Sequence, residues 1–135
     1  MAITLSWRGG LTNREVNELH AEAFGTRVFD ETEWNWVDLV HRHSLGWATA
    51  RDGDRLVGFV NVVWDGLVHA WLQDLAVAAD RRHEGIARRV VDVATDGARE
   101  AGCEWLHVDF DEELAGFYLG ACGFTPTSAG LKRLR

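Results

Sequence analysis

Cysteine is scarce: Cys103 and Cys122 are the two in 135 residues. They are not spaced as a metal or redox pair, which suits a reducing compartment. Long apolar runs are missing as well. The nearest approach, Leu56–Trp64, is interrupted by Gly58 and Asn61 and falls far short of the ~20 residues that span a bilayer. The opening MAITLSWRGG has neither the charged start nor the apolar stretch of a secretion signal, so a cytoplasmic protein without membrane association is expected. Positive charge is in deficit, with 14 Lys and Arg against 21 Asp and Glu and a net charge of −7. Affinity for polyanions comes mainly from clustered Lys and Arg, so general nucleic-acid binding is excluded, and any anion the chain holds is held locally. Internal repeats and low-complexity tracts are lacking. So are metal-ligand spacings: His83-Glu84-x-x-Ala87 misses the second histidine of a zinc-protease helix, and His41-x-His43 reads as a solvated helix end. No metal is expected.

What is present is the composition of an ordered domain, 47% hydrophobic and 26% charged, in a length that suits one domain over residues 1–135 with a single core. Of the seven tryptophans, Trp36, Trp71 and Trp105 lie in apolar patterns and read as packing. Ala2–Arg8 alternates as a half-buried strand. Thr12-x-x-Glu15 is a capping box that predicts a helix over about Asn13 to Phe24, and Asp30-x-x-Glu33 can cap a second helix ending near His43. Trp47–Arg51, Arg55–Trp64 and Leu67–Val77 read as three antiparallel strands joined at Asp52-Gly53-Asp54 and Asp65-Gly66. Glu104–Phe110 is predicted as a strand, Glu112–Ala121 as a short helix, and Ala129–Leu134 as a last strand after the break at Thr125-Pro126. The order β-α-α-β-β-β-α-β-α-β predicts an α/β (α+β) fold: a mixed, mostly antiparallel sheet of about six strands with helices on both faces.

The stretch Trp71–Gly102 organises the rest. An apolar strand (Trp71–Val77) leads through a basic turn (Ala78–Glu84) and Gly85 into an amphipathic helix over Ile86–Ala101. Its apolar face carries Ile86, Val90, Val93, Ala94, Gly97 and Ala101, and Gly102 stands at the C-terminal cap. A helix N-terminus has amide N–H groups without intrahelical partners and partial positive charge, so it seats phosphate. Gly85 lets a ligand approach the backbone, and Arg81, Arg82 and Arg88 add cationic charge. A pyrophosphate is the predicted ligand. The chain has no G-x-x-x-x-G-K-[ST], and this turn holds one glycine where a dinucleotide fingerprint needs three, so ATP-type and NAD-type readings lose weight.

Arg82-His83-Glu84-Gly85-Ile86-Ala87 resembles the acyl-CoA loop [QR]-x-x-G-x-[GA] of the GNAT superfamily of N-acetyltransferases. Leu75-Ala76-Val77 is similar to that family's L-x-V at the end of its fourth strand, and Phe117-Tyr118-Leu119-Gly120-Ala121-Cys122-Gly123-Phe124 to its F-Y-x-x-x-G-F. The three occur in the family's order, and the detailed resemblance covers about Leu56 to Phe124. It implies a GNAT-like acyl-CoA fold and an acyltransferase, an acetyl-CoA-dependent N-acetyltransferase in which donor and amine meet in a ternary complex. It also implies that Leu75, Ala76 and Val77 splay from the neighbouring strand to pair with the pantetheine arm, and that the residues from Arg82 to Arg88 hold the pyrophosphate. Tyr118 takes the position of the general acid. His107, just before Val108, matches where some members carry the base, while Asp74 and Asp109 are the carboxylates next placed to receive the amine or its proton, and many members use only a water relay. Two residues depart from the family's pattern. Glu84 puts negative charge in the loop, and Asp111, where Asn often contacts the CoA arm, cannot donate an amide hydrogen bond. The family's final hairpin has room here for one strand, which leaves that edge open to completion by a second subunit as a homodimer.

The first two helices with their loop are where GNAT-like proteins build the acceptor side. Here Asp30, Glu31, Glu33 and Asp38 are interleaved with Trp34 and Trp36, and no basic residue stands among them. Carboxylates attract an ammonium and an aromatic face holds it, so a cationic amine, small or on a protein, suits this segment. A negatively charged helix start that complements the dipole explains the same residues. A catalytically idle acyl-CoA-binding or interaction module is the alternative function, and Glu84 and Asp111 fit it; a plain structural α/β domain is a third.

Overall fold

Thr12 and Gly25 delimit the first helix for local reasons, and the rest of the architecture follows from similar punctuation. The computed structural model describes residues 2–135. Strand β1 (Thr4–Trp7) leads to helix α1 (Asn13–Phe24), which Thr12 and Glu15 close with a capping box and Gly25 ends in the left-handed conformation. Helix α2 (Trp36–His43) follows. Strands β2 (Ser44–Asp52), β3 (Arg55–Trp64) and β4 (His69–Val77) come next, then a 3-10 turn at Ala79–Arg81. Helix α3 (Ile86–Glu100) and strand β5 (Trp105–Val108) complete the sheet. A 3-10 turn (Glu112–Leu114) and a π-helical segment (Gly116–Ala121) close the ordered elements.

The five strands lie in the order β1-β2-β3-β4-β5, antiparallel throughout except for the parallel pair β4 and β5. Adjacent residues of β3 show that helices cover both faces. A Cβ on Gly58 would lie 2.9 Å from Ile86 of α3, whereas Phe59 meets Trp36 of α2 edge-on at 5.6 Å. Small residues let α3 sit close to the sheet. Trp7 fills the space above Gly46 and Gly97, where added Cβ atoms would come within 2.2 and 2.5 Å of its ring. At its far end α3 stops in a Schellman arrangement. Gly102 adopts a φ of 96°, its N–H bonds the Arg99 carbonyl, and the Cys103 N–H bonds that of Ala98, each at 3.0 Å.

Several expected boundaries move, each for a visible reason. Helix α2 begins at Trp36, capped by the Asn35 side chain accepting from the Asp38 N–H at 2.9 Å, because Asp30 and Glu33 close a separate turn. The buried stripe of α3 runs through Val91 and Ala98 in place of Val93 and Ala101. Strand β2 starts at Ser44, and β5 is four residues long. The expected helix over Glu112–Ala121 divides into a 3-10 turn and a π-helical turn, with Gly116 and Gly120 weakening α-helical geometry. The expected sixth strand at Ala129–Leu134 does not form, so the sheet has five strands. Its two large apolar residues, Leu131 and Leu134, are 96% and 85% exposed, and without burial nothing offsets the entropy of ordering a strand. No described helix is long and apolar enough to cross a membrane.

Candidate functional site

The loop between β4 and α3 is fastened from behind. Arg81 is 6% exposed, and its guanidinium donates to Asp52 at 2.7 Å and to Glu84 at 3.0 Å. Arg55 pairs with Asp80 at 2.7 Å, and the Glu22 carboxylate accepts from the Ala79 N–H. Glu84 thereby shares the Arg81 guanidinium with Asp52. Arg82, His83, Gly85 and Arg88 are left exposed, and Ile86 is buried as the first core residue of α3. His83 and Gly85 both have positive φ, 67° and 80°, and no side chain caps α3. Its opening amides, through Ala87 and Arg88, therefore keep their donors free of side-chain acceptors. A Cβ on Gly85 would meet nothing within 4 Å, so the backbone there faces open space. Exposed backbone donors flanked by arginines fit a diphosphate.

Strand β4 carries a bulge and then parts from its neighbour. Against β3, pairing steps from Asn61↔Gln73 to Phe59↔Ala76, so three residues of β4 span two of β3. Asp74 lies inside this bulge with φ 61°, a conformation that Asp tolerates better than most residues. Against β5, pairing ends at Leu72↔Val108, while β4 continues to Val77. From Gln73 through Leu75, Ala76 and Val77, β4 has no strand partner on the β5 side. Past the end of β5, Asp111 is exposed and opens the 3-10 turn.

The π-helical segment holds Tyr118. Its ring is 7% exposed, stacks on Phe110 at 5.0 Å, and meets Phe117 and Phe124 edge-on at 4.9 and 6.0 Å. The i→i+5 bond from the Cys122 N–H to the Phe117 carbonyl, 2.9 Å, sets the turn. Burial, with the nearby Cys122 thiol second, pushes the phenol above its ordinary value, so it is protonated at neutral pH.

The remaining predicted residues separate into three groups. His107 stacks on Trp71 at 4.7 Å, and its Nε2 lies 2.8 Å from Nδ1 of His69, one ring donating to the other. His107 and Asp109, with Trp71, Trp105 and Phe110, line a cavity of about 800 Å³ along β5. Asp30 and Glu31 are drawn elsewhere. The Asp30 carboxylate accepts from the Thr32 and Glu33 N–H groups and the Thr32 hydroxyl, while Glu33 pairs with Arg27, and Asp38 with Arg42 at 3.2 Å. Glu31 accepts from Asn13 at 3.4 Å, about two helical turns from the end of α1 that approaches β4. These acids largely satisfy local needs.

Trp34 packs on a residue that the sequence did not single out, on the helix that lies against β4 and Asp74. His20 of α1 packs against Phe24, Trp34 and Trp36, with ring centroids at 4.6, 5.7 and 5.4 Å. Burial pushes the Asp74 carboxyl on β4 above its ordinary value, with His20 opposing the rise. Buried Asn17 positions the tryptophans, donating to the Trp34 carbonyl at 3.1 Å and accepting from the Trp36 indole at 2.8 Å. One signal was available: His20 and Asn17 stand on helical spacing beside Val16 and Leu19, where a polar residue needs a partner.

The model of the acetyltransferase (GNAT) family matches residues 13–124. A probable acetyltransferase from meticillin-resistant Staphylococcus aureus superposes with a TM-score of 0.80 at 19% identity, over 99% of this chain and 100% of that one. Glucosamine-6-phosphate N-acetyltransferase from Arabidopsis thaliana superposes at 0.77 and 17%, over 97% and 98%. An aminoglycoside N-acetyltransferase bound to a CoA bisubstrate analogue does so at 0.78 and 13%, over 100% and 99%. No curated protein matches the sequence.

Proposed function

The chain belongs to the acetyltransferase (GNAT) family, and from that premise we propose that it moves an acetyl group from acetyl-CoA to a primary amine by direct attack in a ternary complex. One observation carries the proposal: β4 loses its β5 partner after Leu72 yet continues to Val77, immediately before the loop that enters the uncapped N-terminus of α3. Backbone groups on the free side of Leu75–Val77 would pair with the pantetheine arm and polarise the thioester carbonyl. Preorganised amides aimed at a developing oxyanion need no reorganisation. The amides after Gly85, with Arg82 and Arg88, would take the diphosphate.

The amine lone pair attacks the thioester carbon, the C–N bond forms and the C–S bond breaks. Tyr118 gives its phenolic proton to the departing sulfur, a role that its protonated state supports. The ammonium's surplus proton is assigned to Asp74. His107 has its Nε2 engaged by His69, whereas burial raises the Asp74 carboxyl toward working pH. Pairing of Glu84 with Arg81 removes one ground for reading the chain as an idle acyl-CoA-binding module. The free cysteines, Cys103 and Cys122, support a cytoplasmic setting, and the open edge of β5 supports a homodimer closed there by a second copy.

Thiol release from acetyl-CoA over a panel of primary amines tests the proposal. Turnover should fall by about 10²–10⁴-fold in Tyr118→Phe, the range for loss of a general acid. Acetyl-CoA should stabilise both proteins equally against heat. Full turnover by Tyr118→Phe, or no stabilisation of the native protein by acetyl-CoA, would overturn it.

A further inference from the structure

Around His20 the protein assembles a partly exposed aromatic surface. Asp74 is held in the left-handed conformation within the β4 bulge, and no hydrogen bond reaches its carboxyl among the described residues. The buried Nδ1 of His20 also has no partner among the described residues. Helix α1 packs against β4, so His20 and the strained Asp74 lie on adjoining elements, and an unpartnered polar group beside a strained residue is a feature of sites that a ligand completes. The rings beside them are not sealed into the core. Phe24 is 51% exposed and Trp34 37%, while Trp36 beneath them is fully buried.

Resting on the acetyl-transfer reading, we infer that the acceptor is a primary amine carried on a flat apolar body. Its ammonium sits at Asp74, and its ring lies on Phe24 and Trp34. A carboxylate away from bulk water attracts an ammonium strongly, and aromatic faces accept both a cation and a stacked ring. The same residues disfavour other amines. A polycation would need several free carboxylates, but in the segment before α2 Asp30 and Glu33 are spent on their own turn and on Arg27, which leaves Glu31 with its one bond from Asn13. A phosphorylated amine would need a free cation, and Arg27 is taken by Glu33 and lies over Phe29 at 4.5 Å. The Asn17 bonds to Trp34 and Trp36 keep this aromatic surface fixed before the acceptor arrives.

Steady-state kinetics with 2-phenylethylamine, spermidine and glucosamine 6-phosphate, at saturating acetyl-CoA, decide it. The expected result is a kcat/KM for 2-phenylethylamine higher than for either polar amine by about tenfold or more, the discrimination available to an apolar pocket. Trp34→Ala should raise the KM for 2-phenylethylamine by about tenfold, with a smaller rise in Phe24→Ala, whose half-exposed ring can be removed with little risk to folding. Stabilisation of both variants by acetyl-CoA confirms an intact donor site. Equal or better use of spermidine or glucosamine 6-phosphate, or an unchanged KM in both variants, overturns the inference and leaves acetyl transfer standing. Absence of thiol release with every amine overturns both.

Discussion

Gly85 offers a comparison in which backbone strain and ligand binding can be separated. Gly85 and Gly102 stand at the two ends of α3, both with positive φ, 80° and 96°, and at neither would an added Cβ meet any atom within 4 Å. Alanine at either position therefore costs only the left-handed conformation, about 1–2 kcal/mol. In a chain of this size that lowers Tm by roughly 3–6 °C. The two variants should melt within a few degrees of each other. They should differ in binding. If a diphosphate presses against the backbone at Gly85, the methyl group occupies its place, and acetyl-CoA affinity should fall by about tenfold or more, equivalent to at least ~1.4 kcal/mol. Gly102→Ala should bind as the native protein does. Thermal melts with and without acetyl-CoA, followed by calorimetric titration, read both quantities. Native affinity in Gly85→Ala, or an equal loss in Gly102→Ala, would refute the reasoning.

Three further outcomes are expected. Because burial raises the Asp74 carboxyl, its folded pKa exceeds the unfolded one; the associated stability is present below the unfolded value and lost as pH rises through the folded value. Asp74→Asn, which keeps a residue tolerant of positive φ, should thus melt above the native protein at pH 7, with the difference closing toward pH 3. Asn17→Ala leaves the buried Trp36 indole N–H and the Trp34 carbonyl without their partner and should cost about 2–3 kcal/mol in denaturant unfolding. Gly97→Ala gains about 1 kcal/mol of helix propensity but drives a Cβ to 2.5 Å from Trp7. With overpacking at ~1–3 kcal/mol, a net loss measurable by the same unfolding curves is expected.

Elements with a periodic signature and a cap were legible from residues alone. Helix α1 between Thr12 and Gly25 is one, and α3 between Gly85 and Gly102 is another, because both their apolar spacing and their end residues are local properties. The three central strands were legible for the same reason, with turns at Gly53 and Gly66, both in positive φ. The acceptor side was less legible. Asp30 and Glu33 read as free charges until their turn and Arg27 are seen to engage them, while Glu31 accepts from Asn13. Conversely, His20 gains its meaning from packing under Trp34 on a helix that lies against β4, which no local pattern encodes. The bulge at Asp74 was hidden too, since it depends on register against β3. Glu84 reads as a misplaced charge until Arg81 is seen folded behind it.

The central claim is spatial, and a crystal structure of the acetyl-CoA complex tests it most directly. The diphosphate should lie within hydrogen-bonding distance of the amides that follow Gly85, and the thioester should lie beside the unpartnered side of Leu75–Val77, with its sulfur within reach of the Tyr118 hydroxyl. A coenzyme seated in the cavity along β5, with the start of α3 bare, would contradict it.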